Sequence, residues 1–242
     1  ACEHVVTATG SWARQVAALA GLDIPVIAVE HQYIVTEPCK ELQERKAKGL
    51  PEMPVLRDSI ASYYLREERQ GLIVGPYENN APCWGTDGVP DAFGQELLPP
   101  DLDRLQVHID AAMRRVPALA NVGIKNCVNG PIPYTPDGSP LIGPAPGLKN
   151  YWLCEGFSFG ITQAGGAGKL LAEWIIAGDP PIDPWDVDPR RFGPYANKTY
   201  TKIKNEEVYA HMYVLHYPLE ERPGARPAKT GPIYDRLTQL GA

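Results

Sequence analysis

The spacing of apolar and polar positions changes several times along the chain, and each change marks an element. Val5 to Ala8 is a short, largely β-branched run that stops at Thr9-Gly10. Ser11 then precedes a stretch from Trp12 to Leu22 with apolar residues at Val16, Leu19 and Ala20 on one helical face. The pattern predicts a strand, a tight turn and a helix. Pro25 to Thr36 is dense in Val, Ile and Tyr and ends at Glu37-Pro38, which predicts a long strand. Cys39 to Pro51 is charged and has no apolar period, as in a surface loop or a short exposed helix. The runs Pro54 to Leu56, Ser62 to Leu65 and Leu72 to Val74, separated by turn residues, predict an antiparallel sheet. Residues 79 to 100 read as loop. Asp101 opens a helix that runs to Val116 and is stopped by Pro117, and Val122 to Val128 returns as a strand.

Proline and glycine are so frequent from Gly130 to Gly147 that no regular element is expected there. A short apolar strand follows from Tyr151 to Cys154, then a turn at Gly156-Phe-Ser-Phe-Gly160, then a helix from Thr162 to Ala177. Small residues (Ala164, Gly165, Gly166, Ala167, Gly168) crowd the first turns of that helix, so something can approach its backbone closely. After Gly178-Asp-Pro-Pro181 the chain turns to Trp, Tyr, Arg and Pro without helical or strand period. A boundary is expected near Pro181, with residues 185–242 opening a further module. The start, Ala-Cys-Glu-His-Val-Val, has no Met and no signal-peptide pattern, and both ends read as truncations.

A chain of 242 residues, 44% hydrophobic and 21% charged, can bury a sizeable core in one large or two modest domains. Its net charge of -6 excludes a phosphate-backbone partner, which needs clustered Lys and Arg. The longest apolar runs, such as Leu170 to Ala177, are far short of the ~20 residues that span a bilayer, so no membrane partner is expected. Cys2, Cys39, Cys83, Cys127 and Cys154 are odd in number and scattered, with no CxxC pair and no His at zinc-ligand spacing; they read as free thiols in a reducing compartment, with no metal. A bacterial cytoplasm and a mitochondrial matrix fit equally. Hydrolase chemistry is not expected.

Two strand-turn-helix units, residues 5–22 and 151–177, present helix N-termini. Each either receives an anionic or carbonyl oxygen or merely packs its helix closely on a sheet; the occurrence of two favours a cofactor. Histidine 31 lies inside an apolar strand, where burial favours the neutral ring, and by itself reads as a core histidine. Tyr63 and Tyr64 point to opposite faces of their strand. His108 reads as a packing or solvated side chain, and His4, His211 and His216 have no partners at metal-ligand spacing.

An ordered set of segments then becomes specific. Ala8-Thr-Gly-Ser-Trp-Ala-Arg14, Val29-Glu-His-Gln-Tyr-Ile-Val-Thr36, Pro54-Val-Leu-Arg-Asp58, Ser62-Tyr-Tyr-Leu-Arg66, Gly75-Pro-Tyr-Glu78, Asn129-Gly-Pro-Ile-Pro-Tyr-Thr-Pro-Asp137, Gly156 to Gly168 and Arg226-Pro-Ala-Lys-Thr-Gly-Pro-Ile-Tyr234 resemble, in order, the dimethylglycine and sarcosine dehydrogenase family of FAD-dependent amine oxidoreductases. The resemblance implies an α/β (α+β) fold. Residues 1–23 would be the last strand and helix of the first part of a split FAD-binding domain, 24–128 an antiparallel or mixed-sheet substrate domain, 129–180 the return to the FAD domain, and 181–242 a central linker domain preceding a folate-binding domain. The GxGxxG fingerprint that seats the FAD pyrophosphate does not occur in the chain.

The resemblance also implies roles. Thr9, Gly10 and Trp12 would lie near FAD, and Gly156, Phe157, Ser158, Phe159, Gly160 and Ile161 along the isoalloxazine ring, with the following helix N-terminus facing negative charge near flavin N1 and O2. His31, with a pKa near 7, and Tyr64 would hold or relay the proton of a substrate amine, an N-methylated glycine. Tyr63 is left to packing, and Arg66, on the face of Tyr64, stays outside the catalytic set. Electrons would pass to an electron-transfer flavoprotein or to oxygen, and tetrahydrofolate would take the one-carbon unit in the complete protein. The rival reading is a catalytically silent relative of the same fold, such as the regulatory subunit of pyruvate dehydrogenase phosphatase; His31 and Tyr64 argue against it.

Overall fold

The computed structural model describes residues 1–241. In chain order the elements are β1 (Val5–Thr7), a 3-10 turn (Gly10–Trp12), α1 (Ala13–Leu19), β2 (Ile27–Thr36), α2 (Lys40–Ala47), β3 (Leu56–Asp58), β4 (Tyr63–Glu68), β5 (Gly71–Pro76), β6 (Cys83–Trp84), α3 (Leu102–Arg115), β7 (Ile124–Tyr134), β8 (Leu141–Pro144), β9 (Tyr151–Glu155), α4 (Gly160–Ala177), α5 (Lys198–Ala210) and α6 (Tyr234–Gln239). The strands form two sheets. In the smaller, β1 pairs in parallel with β9, and β9 pairs antiparallel with β8. In the larger, all pairings are antiparallel and β2 is the spine: β7 runs along one edge from Ile27↔Tyr134 to Thr36↔Ile124, while β5 and β6 share the other.

Strand alternation sends Ile34, Tyr63, Leu65, Leu72 and Val74 to one face, where they bury against Leu105 and Ala112 of α3. Helix α3 begins where Asp101 accepts the N–H of Arg104 at 3.2 Å, an N-cap, and stops at Arg115, two residues before Pro117. The opposite face carries Val29, Tyr77 and Tyr134, covered by Val208 and Tyr209 of α5. The small sheet has its own core, with Leu141 and Leu153 against Ala13 and Ala17 of α1, and Ile142 and Trp152 against Leu171 and Trp174 of α4.

Two expectations fail. Residues 130–134 and 141–144, read as irregular, complete β7, which pairs with β2, and form β8, which pairs with β9. Pro131 and Pro133 are tolerated because β7 is an edge strand whose ladder is to β2 alone, so the absent N–H groups need no second partner. Residues 198–210, read as aperiodic, form α5, capped by Asn197, whose side chain accepts the N–H of Tyr200 at 3.0 Å. Its buried face includes Thr201, Lys204 and Asn205, so hydropathy hides its period. Nδ2 of Asn205 donates to the carbonyls of Ile27 at 2.8 Å and Tyr134 at 2.9 Å, pinning α5 to the adjoining ends of β2 and β7.

Leu105 is fully buried at the α3 contact, whereas Leu102 at the start of the same helix is exposed. Leu105→Ala is expected to cost about 2–5 kcal/mol in urea or thermal unfolding, and Leu102→Ala within about 0.5 kcal/mol.

Candidate functional site

Where β1 and β9 run side by side into α4, a cavity of about 320 Å³ is lined by Ala8, Gly10, Pro133, Cys154, Glu155, Gly156, Phe157, Gly160, Ala164 and Gly168. Four residues singled out from sequence, Gly10, Gly156, Phe157 and Gly160, thus meet here. Ser158 and Phe159 are half-buried in the turn between them. Trp12 packs on Phe93, ring centroids 6.3 Å apart, and Ile161 is fully exposed; neither lines the cavity.

Thr9 sits at the rim through Glu155, which sequence reasoning missed. The buried Glu155 carboxylate accepts the Thr9 N–H at 2.9 Å, the Thr9 hydroxyl at 2.8 Å and the Gly10 N–H at 3.1 Å. The free N–H groups at the first strand-turn-helix unit are therefore already occupied by the protein, and this unit is not an open anion site. Burial pushes the Glu155 carboxyl up from its ordinary range, opposed by these hydrogen bonds.

The second unit differs. Helix α4 starts at Gly160 without a side-chain cap, so its first N–H groups remain free to meet an oxygen. A Cβ added at Gly165, Gly166 or Gly168 would meet nothing within 4 Å. These glycines are not demanded by packing of α4 on its sheet, which uses Ala167, Leu171 and Trp174 instead. They keep a surface clear. An uncapped helix N-terminus beside a largely apolar, glycine-walled cavity suits the flat ring and electron-rich edge of a flavin, so the residues present fit FAD.

The turn Gly156-Phe-Ser-Phe-Gly160 between β9 and α4 also has the Gly-x-Ser-x-Gly spacing of a hydrolase nucleophile elbow. Among the described residues no histidine hydrogen-bonds Ser158: His31 is engaged by Tyr209, His108 by the Ala61 carbonyl, and His211 by the Glu207 carbonyl. Without a base on the serine, the spacing carries no hydrolytic chemistry.

Pro133 brings the edge strand β7 of the large sheet to the cavity wall. Pro133 pairs with Ala28, three residues along β2 from His31, a separation of about 10 Å at the usual strand rise. Val29, His31 and Tyr33 point to the opposite face of β2 from Ala28. Tyr64 joins it from β4: its ring crosses Gly75 so closely that a Cβ there would fall 2.2 Å from Cζ, which requires glycine at 75 and fixes the ring. His31 and Tyr64 are linked through two further rings. Tyr77 lies 4.9 Å from His31 and 4.5 Å from Tyr213, and Tyr213 lies 5.9 Å from Tyr64.

Burial lowers the pKa of His31 to about 4, well below the value near 7 expected from its proposed role, and raises that of Tyr64 to about 12. At neutral pH His31 is an uncharged acceptor and Tyr64 an intact hydroxyl. Tyr63 is fully buried in the opposite core, and Arg66 is exposed and paired with Glu68 at 2.8 Å. His108 is buried and bonded to a backbone carbonyl, a packing role. All five cysteines are free, and no group of metal-ligating side chains occurs among the described residues. No helix among them is long and apolar enough to cross a membrane.

The sequence profile of FAD dependent oxidoreductases matches residues 1–174, and that of the FAD dependent oxidoreductase central domain matches residues 177–231. The chain is 46% identical over 240 residues to human mitochondrial dimethylglycine dehydrogenase, covering 97% of this chain and 27% of that protein. It is 37% identical over 240 residues to mouse mitochondrial sarcosine dehydrogenase, covering 98% of this chain and 25% of that one. The chain thus spans about a quarter of the length of these relatives. Among solved structures it resembles L-proline dehydrogenase from P. horikoshii with a TM-score of 0.60 and 28% identity, over 78% of this chain and 46% of that one.

Glu155→Gln places an NH2 donor against the Thr9 and Gly10 N–H groups, and thermal unfolding should show a loss of about 1–3 kcal/mol. Gly168→Ala should raise stability by up to ~1 kcal/mol, since its Cβ meets no neighbour. Gly168→Leu should instead lower the flavin content of the purified full-length protein, read from its visible absorbance.

Proposed function

The chain belongs to the FAD dependent oxidoreductase family, and from that premise we propose that the intact protein oxidatively demethylates dimethylglycine or a similar N-methylated glycine. The observations that support this reading are a glycine-walled cavity lined in part by Pro133 of β7 and, on the strand β2 paired with β7, a His31 that shares a sheet face with Tyr64. The higher identity to dimethylglycine dehydrogenase than to sarcosine dehydrogenase, 46% against 37%, favours the tertiary amine as substrate.

Gly156, Phe157 and Gly160 would lie along the flavin, with the α4 N-terminus toward its pyrimidine edge, and Thr9 and Gly10 would hold the turn that Glu155 fixes. When bound between these residues, FAD would supply the hydride acceptor for oxidation of the substrate's N-methyl carbon to an iminium. The chain's residues position and desolvate. Neutral His31 accepts the N–H of the substrate's ammonium form, or a hydrogen of water beside it, and Tyr64 supplies a hydroxyl that stays protonated. With a pKa near 4, His31 steers the amine proton outward but does not store it. Only the neutral amine releases hydride, so its proton must leave before that step.

In this reading residues 1–23 and 129–180 close a split FAD domain around a substrate domain at 24–128, and residues 181–242 lead to a folate-binding domain where tetrahydrofolate takes up the one-carbon unit. Electrons leave for an electron-transfer flavoprotein or oxygen.

The test is anaerobic mixing of the full-length, FAD-loaded protein with dimethylglycine and, separately, sarcosine, following flavin absorbance. Faster bleaching by dimethylglycine is the expected result. Bleaching by sarcosine alone would move the substrate to the secondary amine, and none with either would favour a catalytically silent, regulatory protein.

A further inference from the structure

Behind His31 lies a network of hydrogen bonds, from which we infer that Tyr209 and Glu78 are positioning residues: they hold His31 in the tautomer with the proton on Nδ1, so that Nε2 is the acceptor offered to the N–H of the substrate's ammonium form, or to water, as that proton leaves. The inference rests on the reading of His31 as the group that faces that amine.

The direction can be followed donor by donor. The Asp101 N–H is a fixed donor, and it reaches Oε1 of Gln32 at 2.7 Å. This sets the orientation of the Gln32 amide, leaving its Nε2 to donate to Oε1 of Glu78 at 3.1 Å and to the Asp101 carbonyl at 3.3 Å. Glu78, almost wholly buried on its own strand end, receives its second donor at Oε2, the hydroxyl of Tyr209 at 2.7 Å. Arg104 adds positive charge, its Nε 3.9 Å from Oε1.

A phenol has one proton. Burial, reinforced by the charge of Glu78 and the hydrogen bond to it, raises the Tyr209 pKa far above its ordinary value, so that proton stays and points at the carboxylate. Nδ1 of His31 lies 2.9 Å from the same oxygen, which has only a lone pair left to offer. Nδ1 must therefore donate. In a neutral imidazole the lone pair then sits on Nε2. Tyr77 at 4.9 Å and Tyr209 at 5.9 Å between ring centroids hold the ring plane, so the tautomer and the orientation are set together.

Two features argue against a purely structural role. Buried Tyr and Glu side chains pair readily, but on the Tyr209 side this pair ends on a half-buried histidine side chain rather than on backbone. And the network takes its members from four separate places, β2, the residue after Tyr77, the residue before α3, and α5, with the donors on both sides converging on the Glu78 carboxylate.

The experiment uses full-length, FAD-loaded protein labelled with 15N-histidine at neutral pH. In the wild type, the shifts of His31 should show a protonated Nδ1 and an unprotonated Nε2. In Tyr209→Phe, which keeps the ring but removes the acceptor, the shifts should move toward Nε2 protonation. The anaerobic flavin reduction rate should then fall about 10-fold or more, with substrate affinity little changed. Glu78→Gln, which can donate to Tyr209 and so release the direction of the chain, should shift the nitrogen signals the same way. A wild-type His31 protonated on Nε2, or a Tyr209→Phe protein with unaltered nitrogen shifts and rate, would overturn the inference. An unaltered rate in His31→Gln would instead overturn the reading of His31 itself, while the wild-type shifts still decide the direction of the hydrogen bonds.

Discussion

A ten-residue strand paired along both edges must send alternate side chains to opposite faces, and β2 uses both. Gln32 and Ile34 go toward α3, the first into a buried polar network and the second into the aliphatic core. Val29, His31 and Tyr33 go to the face that α5 partly covers. A slip of one residue would exchange the two sets, placing His31 in the aliphatic core and Gln32 in the open. The register is held from outside the strand as well: Asn205 binds the carbonyl of Ile27, and Gln32 binds both the N–H and the carbonyl of Asp101. The position of the candidate base is therefore a property of the whole sheet and of the two helices packed on it.

The two halves of the candidate site obey opposite demands. The cavity between β1, β9 and α4 is made by omission: glycine and alanine leave backbone accessible, and no side chain caps the helix. The sheet face is made by close contact among His31, Tyr64, Tyr77, Tyr209 and Tyr213, each ring fixed by the next. A flat cofactor needs clearance. A hydrogen-bond acceptor needs a locked orientation, and buried, directional hydrogen bonds supply it because in low dielectric a misdirected donor is costly. Glu155 joins the two principles: it consumes the N–H groups of the first turn so that the second, at α4, is the one left free.

Elements whose burial follows hydropathy were legible: the long strand to Thr36, the helix from Asp101 to Val116, the antiparallel runs to Val74 and the helix after Gly160 all stand within a few residues of expectation. The failures have physical causes. Strand β7 continues through Pro131 and Pro133 because an edge strand needs only one ladder, which no local pattern reveals. Helix α5 escapes because it buries Thr201, Lys204 and Asn205, residues that composition assigns to the surface. At the site, the glycines of the β9–α4 turn announce themselves, and the places of His31 and Tyr64 on one face follow from strand period once the sheet is known. Glu78, Glu155 and Tyr209 do not. Each acts on a residue 46 to 178 positions away, and a buried acid or phenol at the end of an apolar run looks the same in sequence whether it orients a histidine or only fills space.

The distribution of these contacts bears on how the chain divides. The two family profiles meet between residues 174 and 177, and composition also changes near Pro181. Yet α5, wholly on the far side of that line, supplies Asn205 to the ends of β2 and β7 and Tyr209 to His31, and its Val208 and Tyr209 are buried in the same cluster as Val29, Tyr77 and Tyr134. A sequence boundary is thus crossed by the hydrogen bonds that orient the candidate base. If α5 belongs functionally to the sheet it covers, the segment after residue 177 is more than a tether to whatever follows: its first helix completes the wall and the wiring of the face on which the substrate would sit.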